Sequence, residues 1–250
     1  MTETLEINEF CIEDLPASCT IVLIAPPGYG KTTMIETLMY HHRHLCPVGR
    51  AWIGTDESYK RFCSILGHLF VSNYYDEEEH KSSIVRQRTL ATENVPEAER
   101  RAFTVLDDLS SDPKIFKNQF FRAQFKLGSQ HYNTIFCLGM QYAIDMPPDI
   151  RNATSFAFIG RITEIPEREK VYRNFCGIIP REIFATLMDE VCQDHTFLVI
   201  RRRGQSNDWR DNVFYLKTEV LPKKWRFGCK EFVQWNDTRY NTSYKERHEF

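Results

Sequence analysis

The sequence predicts an α/β fold with a mostly parallel central sheet flanked by helices and short C-terminal edge strands. Three observations predict it. Apolar runs recur without alternating polar residues, helical stripes fill the segments between them, and a glycine-bearing turn follows the first run. Runs of that kind fit strands buried on both faces, and strands alternating with helices specify a doubly wound parallel sheet.

The elements follow in order. Residues 20–24 form a β-branched strand, and after the turn Ile35, Leu38, Met39 and His42 recur at helical spacing. A second run at 50–53 ends in Gly54-Thr55-Asp56-Glu57 and leads into helices over 61–70 and 76–91. Acidic residues at 76–79 suit the positive end of the second of these. Strands are expected at 102–106, 134–138 and 155–159, with the stripe Phe116, Phe120, Ala123 and Leu127 between the first two. Pro180 opens a helix carrying Ile183, Phe184, Leu187, Met188 and Val191, and residues 196–200 supply another strand. Short strands at 212–216 and 230–234 complete the prediction. Residues 1–250 are read as one domain, with a core over about 17–201 and a basic edge-strand segment over 202–250.

Composition excludes several classes. With 250 residues, 42% hydrophobic and 26% charged, the chain is neither disordered nor a disulfide miniprotein. No apolar run reaches the roughly 18 residues of a membrane span, and the acidic start is unlike a signal peptide, so the protein is expected to stay where it is made. Eight cysteines without a Cys-x-x-Cys pair read as buried reduced thiols. The net charge of −2 hides a gradient, because residues 201–250 hold 12 Lys or Arg against 7 Asp or Glu. The run Arg201-Arg202-Arg203 is either a contact for a polyanion or a solvated face.

The turn reads Ala25-Pro26-Pro27-Gly28-Tyr29-Gly30-Lys31-Thr32-Thr33, a Walker A loop with Ala in place of the first Gly. In such a loop backbone N–H groups surround a β-phosphate, Lys31 reaches the β and γ oxygens, and the Thr32 hydroxyl ligates Mg²⁺. A Gly-rich turn without a ligand is the alternative. The run at 103–106 ends in Asp107-Asp108, where Asp107 would hold Mg²⁺ and Asp108 would polarise the attacking water; an Asp-rich turn after a strand is the plainer reading. Gln141 ends the next strand at the edge where ligands bind in open sheets, either contacting a γ-phosphate and water or capping a loop. Arg151 follows the stiff Pro147-Pro148 pair, as a transition-state arginine for a neighbouring subunit or as partner of a carboxylate. His41, His42 and His44 lack a completing ligand and read as surface residues. Trp225, Phe227, Phe232 and Trp235 read as packing at a sheet edge rather than as a platform for bases.

Together with Tyr172-Arg173-Asn174-Phe175, residues 197–200 and residues 227–232, this ordered set resembles the poxvirus-type DNA-packaging ATPases of nucleocytoplasmic large DNA viruses, a branch of the FtsK/HerA superfamily. The likeness runs over about residues 17–235. It implies a P-loop NTPase fold of the RecA/FtsK-like kind, ATP and Mg²⁺ as cofactors, and Gln141 as the γ-phosphate sensor. It further implies ATP-driven translocation of double-stranded viral DNA into a preformed capsid by a homo-oligomeric ring, a pentamer or hexamer. Capsid or portal components would be partners, and the host cytoplasm at the viral factory would be the location, with the virion as a second. A helicase-like DNA-dependent ATPase and a nucleotide-binding virion scaffold protein without motor activity are the competing readings. A nucleoside kinase is disfavoured because no Arg-rich lid is visible.

Overall fold

The computed structural model describes residues 7–109, 113–142 and 146–240. Residues 241–250, the end of the predicted basic segment, and residues 1–6 of the acidic start lie outside the described residues. Among the described residues nine strands form one sheet: β1 (Asn8–Glu9), β2 (Cys19–Ile24), β3 (Val48–Ile53), β4 (Val71–Ser72), β5 (Ala102–Asp107), β6 (Thr134–Met140), β7 (Phe156–Ile159), β8 (Thr196–Arg201) and β9 (Val213–Lys217). Their spatial order is β1-β9-β8-β7-β2-β6-β5-β3-β4. Only β8 runs against the others; it is antiparallel to β7 and to β9, and β1 joins β9 in parallel. The sheet is therefore mostly parallel, as the sequence predicts.

The helices are α1 (Lys31–His42), α2 (Asp56–Leu66), α3 (Glu77–Thr92), α4 (Glu97–Arg100), α5 (Gln119–His131), α6 (Pro148–Ala153), α7 (Ile165–Phe175), α8 (Arg181–Glu190) and α9 (Lys230–Arg239). Alternation along β2 explains how they divide. Ile21 and Leu23 face a core shared with Met34, Ile35, Leu38 and Met39 of α1 and with Phe62 and Leu66 of α2. Val22 and Ile24 face the opposite core, built by Phe121 and Phe125 of α5, Val171 of α7 and Leu187 of α8. A strand with both faces buried has no polar positions to offer, which is why β2 reads as an unbroken apolar run.

Capping follows the sequence signals. Asp76 accepts from the Glu79 N–H and starts α3, and Asn118 accepts from Phe120 and Phe121 and starts α5. The helix expected at 61–70 instead starts at Asp56 and stops at Leu66, because Gly67 takes a φ of 97° that turns the chain out of the helix.

One element differs in kind. Residues 230–234, predicted as a strand, are the first half of α9. Gly228 at φ 94° redirects the chain, and Phe232 and Asn236, four apart on one face, pack inward; Phe232 stacks on Phe70 at 4.0 Å and Asn236 accepts from the Leu69 N–H. Five residues are too few to separate a period of two from 3.6 when the burying partner is remote in sequence.

All eight cysteines are free, and six of them are buried. Burial pushes the thiols of Cys46 and Cys192 up to about 12, so they behave as small apolar groups, consistent with the reduced reading. Among the described residues no helix is long and apolar enough to cross a membrane.

Candidate active site

The chain leaves β2 at the C-terminal edge of the sheet and turns into α1 through Ala25, Pro26, Pro27, Gly28, Tyr29 and Gly30. Strands β6 and β7 flank β2 on either side, and the direction of chain progression reverses there, the place where open sheets leave a crevice. Ala25 is fully buried and donates its N–H to the Met140 carbonyl at 3.2 Å, while Tyr29 N–H closes a turn onto Pro26 at 3.2 Å. Gly28 at φ 76° and Gly30 at φ 98° supply backbone angles that L side chains rarely adopt. Gly30 is the N-cap of α1 with no side-chain cap, and the first turn of that helix holds no acidic residue. The positive helix end thus remains open to an anion. Thr33, in this first turn, is half-buried, and its carbonyl accepts from the Thr37 hydroxyl.

The acidic pair ends β5 beside this loop. Asp107 is fully buried; Thr32 Oγ1 donates to its Oδ2 at 2.9 Å, and Lys31 Nζ lies 3.0 Å from its Oδ1. Lys31, itself 6% exposed, also pairs with Asp108. Burial raises the Asp107 pKa, Lys31 opposes that shift, and the neighbouring Asp108 adds to it. Asp108 sits at φ 58°, a left-handed conformation that costs a residue bearing Cβ about 1–2 kcal/mol and is held here by its surroundings. The sequence thus foretells the company of Lys31, Thr32, Asp107 and Asp108, and the fold brings them together.

Two glycines matter to that geometry in ways the sequence did not assign. Gly139 lies opposite Asp107 in the β5–β6 register, and a Cβ there would collide with Asp107 Oδ1. Gly54 follows β3, donates to the Asp107 carbonyl at 2.9 Å, and would collide through a Cβ with the Asp108 carbonyl. For Gly139 the available signal was a glycine inside an otherwise apolar strand run, which marks a close approach. Glu36 was missed as well. It is 5% exposed on α1, pairs with Arg61 of α2, and has its pKa raised by burial. Both line a groove of about 770 Å³ between α1, α2 and residues 219–226.

Gln141 follows β6 at the same edge, half-buried and without a hydrogen-bond partner among the described residues. Arg151 is elsewhere. It lies on α6, where its guanidinium donates to Asn174 Oδ1 at 2.7 Å, an amide rather than a carboxylate. The chain enters β7 soon after, with Ser155 N–H bonded to the Thr20 carbonyl at the N-terminal end of β2. From Thr20 to Ala25 the strand spans about 17 Å, so Arg151 and the loop occupy opposite ends of the sheet. Arg161, by contrast, follows β7 next to the loop, where Gly160 N–H donates to the Ile24 carbonyl at 2.8 Å.

The arginine run is largely engaged within the chain. Arg202 donates to the Arg151 carbonyl and Arg203 to that of Ala153 at 3.0 Å, so both cap the C-terminal end of α6, while Arg201 lies over the Phe214 ring. His41 pairs with Glu219, His42 is buried with its ring bonded to the Leu38 carbonyl, and no group of three metal-binding His, Cys, Asp or Glu occurs among the described residues. Phe227 and Phe232 are buried and Trp225 packs edge-on against Tyr40; of the four aromatics, Trp235 is exposed.

No protein-family model matches the chain. Among viral proteins, it is 36% identical over 229 residues to protein 075L of Invertebrate iridescent virus 6, covering 90% of this chain and 88% of that protein. Protein 088R of Invertebrate iridescent virus 3 is 32% identical, covering 85% and 81%, and protein L437 of Acanthamoeba polyphaga mimivirus is 25% identical, covering 96% and 86%. Among solved structures, the genome packaging NTPase B204 from Sulfolobus turreted icosahedral virus 2, in complex with ATP-gammaS, superposes with a TM-score of 0.56 at 12% identity, covering 82% of this chain and all of that one. The pCW3 conjugation coupling protein TcpA, with the same kind of analogue, gives 0.53 at 14% identity, covering 79% and 59%. At such identities the likeness is one of fold, an α/β architecture shared with these nucleotide-bound ATPases.

Proposed function

From the premise that the chain belongs to the family of viral proteins that includes protein 075L of Invertebrate iridescent virus 6, we propose that it is an ATP-hydrolysing motor that moves double-stranded viral DNA into a preformed capsid. The observation that carries this reading is Lys31 held between Asp107 and Asp108, with Thr32 bonded to Asp107, at the mouth of a loop whose two glycines take positive φ.

The residues divide the work. N–H groups of residues 28–33 bind the β-phosphate of ATP, and Lys31 exchanges its carboxylate partners for the β and γ oxygens. Asp107 and Thr32 fit Mg²⁺, a cation that takes oxygen ligands, because Asp107 Oδ1 is buried and accepts no well-directed hydrogen bond. When bound, that ion neutralises charge on the phosphates. Asp108 accepts a proton from the attacking water, and the Gln141 amide orients water and γ-phosphate. Arg151 can serve a neighbouring subunit's site only after leaving Asn174. DNA would be gripped through phosphates without sequence preference, in a ring of five or six subunits working with capsid or portal components in the host cytoplasm. The fold shared with a genome packaging NTPase supports this reading.

Phosphate release from Mg·ATP, with and without duplex DNA, tests it. DNA should stimulate release, and Lys31→Ala should lower it by about three powers of ten or more. Nucleotide binding without turnover would favour the virion scaffold, and parental turnover by Lys31→Ala would remove the phosphate-loop reading altogether.

A further inference from the structure

The turn between α8 and β8 lies against the phosphate loop. Asp194 at φ 48° and His195 at φ 63° are consecutive non-glycine residues in the left-handed region, a conformation that persists only where the surroundings hold it. The Thr218 N–H holds the turn from β9, donating to the His195 carbonyl at 3.2 Å, the Thr196 N–H closes it onto the Gln193 carbonyl at 2.8 Å, and the phosphate loop holds it from the other side. His195 Nδ1 is 2.8 Å from the Tyr29 carbonyl, and because a carbonyl only accepts, the proton resides on Nδ1. The Tyr29 hydroxyl donates back to the Thr196 carbonyl at 2.8 Å, and the Tyr29 ring packs edge-on against Phe197 at 5.3 Å. On its other side, a Cβ on Gly160 would come within 2.5 Å of the Tyr29 ring, so the tyrosine is gripped from both neighbouring turns.

The bond to the Tyr29 carbonyl matters because of what shares its peptide plane. In a trans peptide the carbonyl of one residue and the N–H of the next point in opposite directions. Fixing the Tyr29 oxygen toward His195 therefore fixes the Gly30 N–H away from it, on the side of the loop opposite the imidazole. That N–H has no acceptor among the described residues. The imidazole also crowds Gly30, since a Cβ there would lie 3.1 Å from His195 Nδ1.

We propose that His195 is a positioning residue for nucleotide binding: its Nδ1–H holds the Tyr29–Gly30 peptide so that the Gly30 N–H faces the phosphates of the bound nucleoside triphosphate. The inference rests on the phosphate-loop reading above and assigns that loop a support outside the Walker motif. The imidazole itself touches no phosphate. Its contribution is to ground-state and transition-state binding alike, so losing it raises KM and leaves kcat in place.

Three variants of the full chain test this, with ATPγS binding and ATP turnover measured in the presence of Mg²⁺. His195→Gly removes the donor and suits the left-handed backbone; His195→Asn keeps an N–H at the Nδ1 position and tolerates the same backbone. His195→Gln sets its amide one atom too far along and serves as the second loss variant should the glycine chain fail to fold. The loss variants should weaken ATPγS binding and raise KM about tenfold, the scale of one hydrogen bond, with kcat within about twofold. His195→Asn should stay within about twofold of the parent in every constant. Parental affinity in the loss variants, or an asparagine variant as weak as they are, overturns the proposal. Lys31→Ala separates the two readings. If it binds ATPγS as the parent does, or if the parent binds none, the phosphate loop itself is misread; if it binds poorly while the His195 variants bind normally, only the role of His195 falls.

Discussion

At the C-terminal edge of the sheet, Lys31, Asp107 and Asp108 answer one another's charge through side chains alone. At the N-terminal edge, Arg202 and Arg203 answer the main chain, bonding the carbonyls of Arg151 and Ala153 at the end of α6. The difference decides which charges are available to a ligand. A side chain that leaves another side chain for an incoming phosphate disturbs no backbone, whereas an arginine that leaves a helix end exposes carbonyls that need a new partner. A basic run is therefore a weaker sign of a binding surface than its charge suggests, and a lysine held between a buried carboxylate and a half-buried one is a stronger sign.

Four tests probe the contrast. The largest effect belongs to the catalytic edge: Asp108→Asn should retain ATPγS binding yet lower phosphate release by about two to four powers of ten, because the amide cannot take a proton from water. Equal loss of binding would make Asp108 a structural residue. Next is Gly139→Ala, whose new methyl has no room beside Asp107; urea unfolding should show a loss of about 1–3 kcal/mol. Gly177→Ala, where a Cβ meets nothing within 4 Å, is the matched control and should stay within about 0.5 kcal/mol of the parent.

These two tests bear on what sequence could reveal. The strand and loop at 20–33 were legible because a doubly buried strand, two glycines and a lysine are all local signals. Gly139 and Gly54 were illegible in their roles, since each is required by an aspartate that reaches it only through β5 pairing with β3 and β6. His195 was beyond reach for the same reason, as its partner Tyr29 is 166 positions away. The two-residue strands β1 and β4 carry no pattern at all, and α9 was mistaken for a strand because its burying partners lie around residue 70. Arg151 shows the opposite failure: the Pro147-Pro148 pair is a local signal, but which end of the sheet the arginine serves depends on the path into β7.

The third test applies one change to both ends. Arg161→Ala, beside the loop, should lower turnover by about tenfold, whereas Arg151→Ala should cost about 1 kcal/mol of stability through Asn174 and leave turnover within about threefold. A thousandfold drop in Arg151→Ala with nucleotide affinity intact would instead make it an arginine donated between subunits. The smallest effect is expected from replacing Arg201, Arg202 and Arg203 together with Gln. With two of the three engaged on α6, the slope of log K for duplex DNA against log salt should change by no more than about 0.9, one phosphate contact. A change near three contacts would return the whole run to the DNA.

The sheet also ends abruptly. Its outermost strands, β1 and β4, are two residues each, and the Arg50 side chain of β3 bonds the Leu69 carbonyl and the Ser72 hydroxyl along one of those margins. So little free backbone leaves a second chain almost nothing to pair with, which guards against strand-to-strand aggregation. It also restricts how copies of this protein can associate. Among the described residues such short edges disfavour the lengthening of one copy's sheet by another, so helix faces and loops are the surfaces better suited to an assembly, with the spacing between neighbouring sites set by side-chain packing rather than by the 4.8 Å repeat of strand pairing.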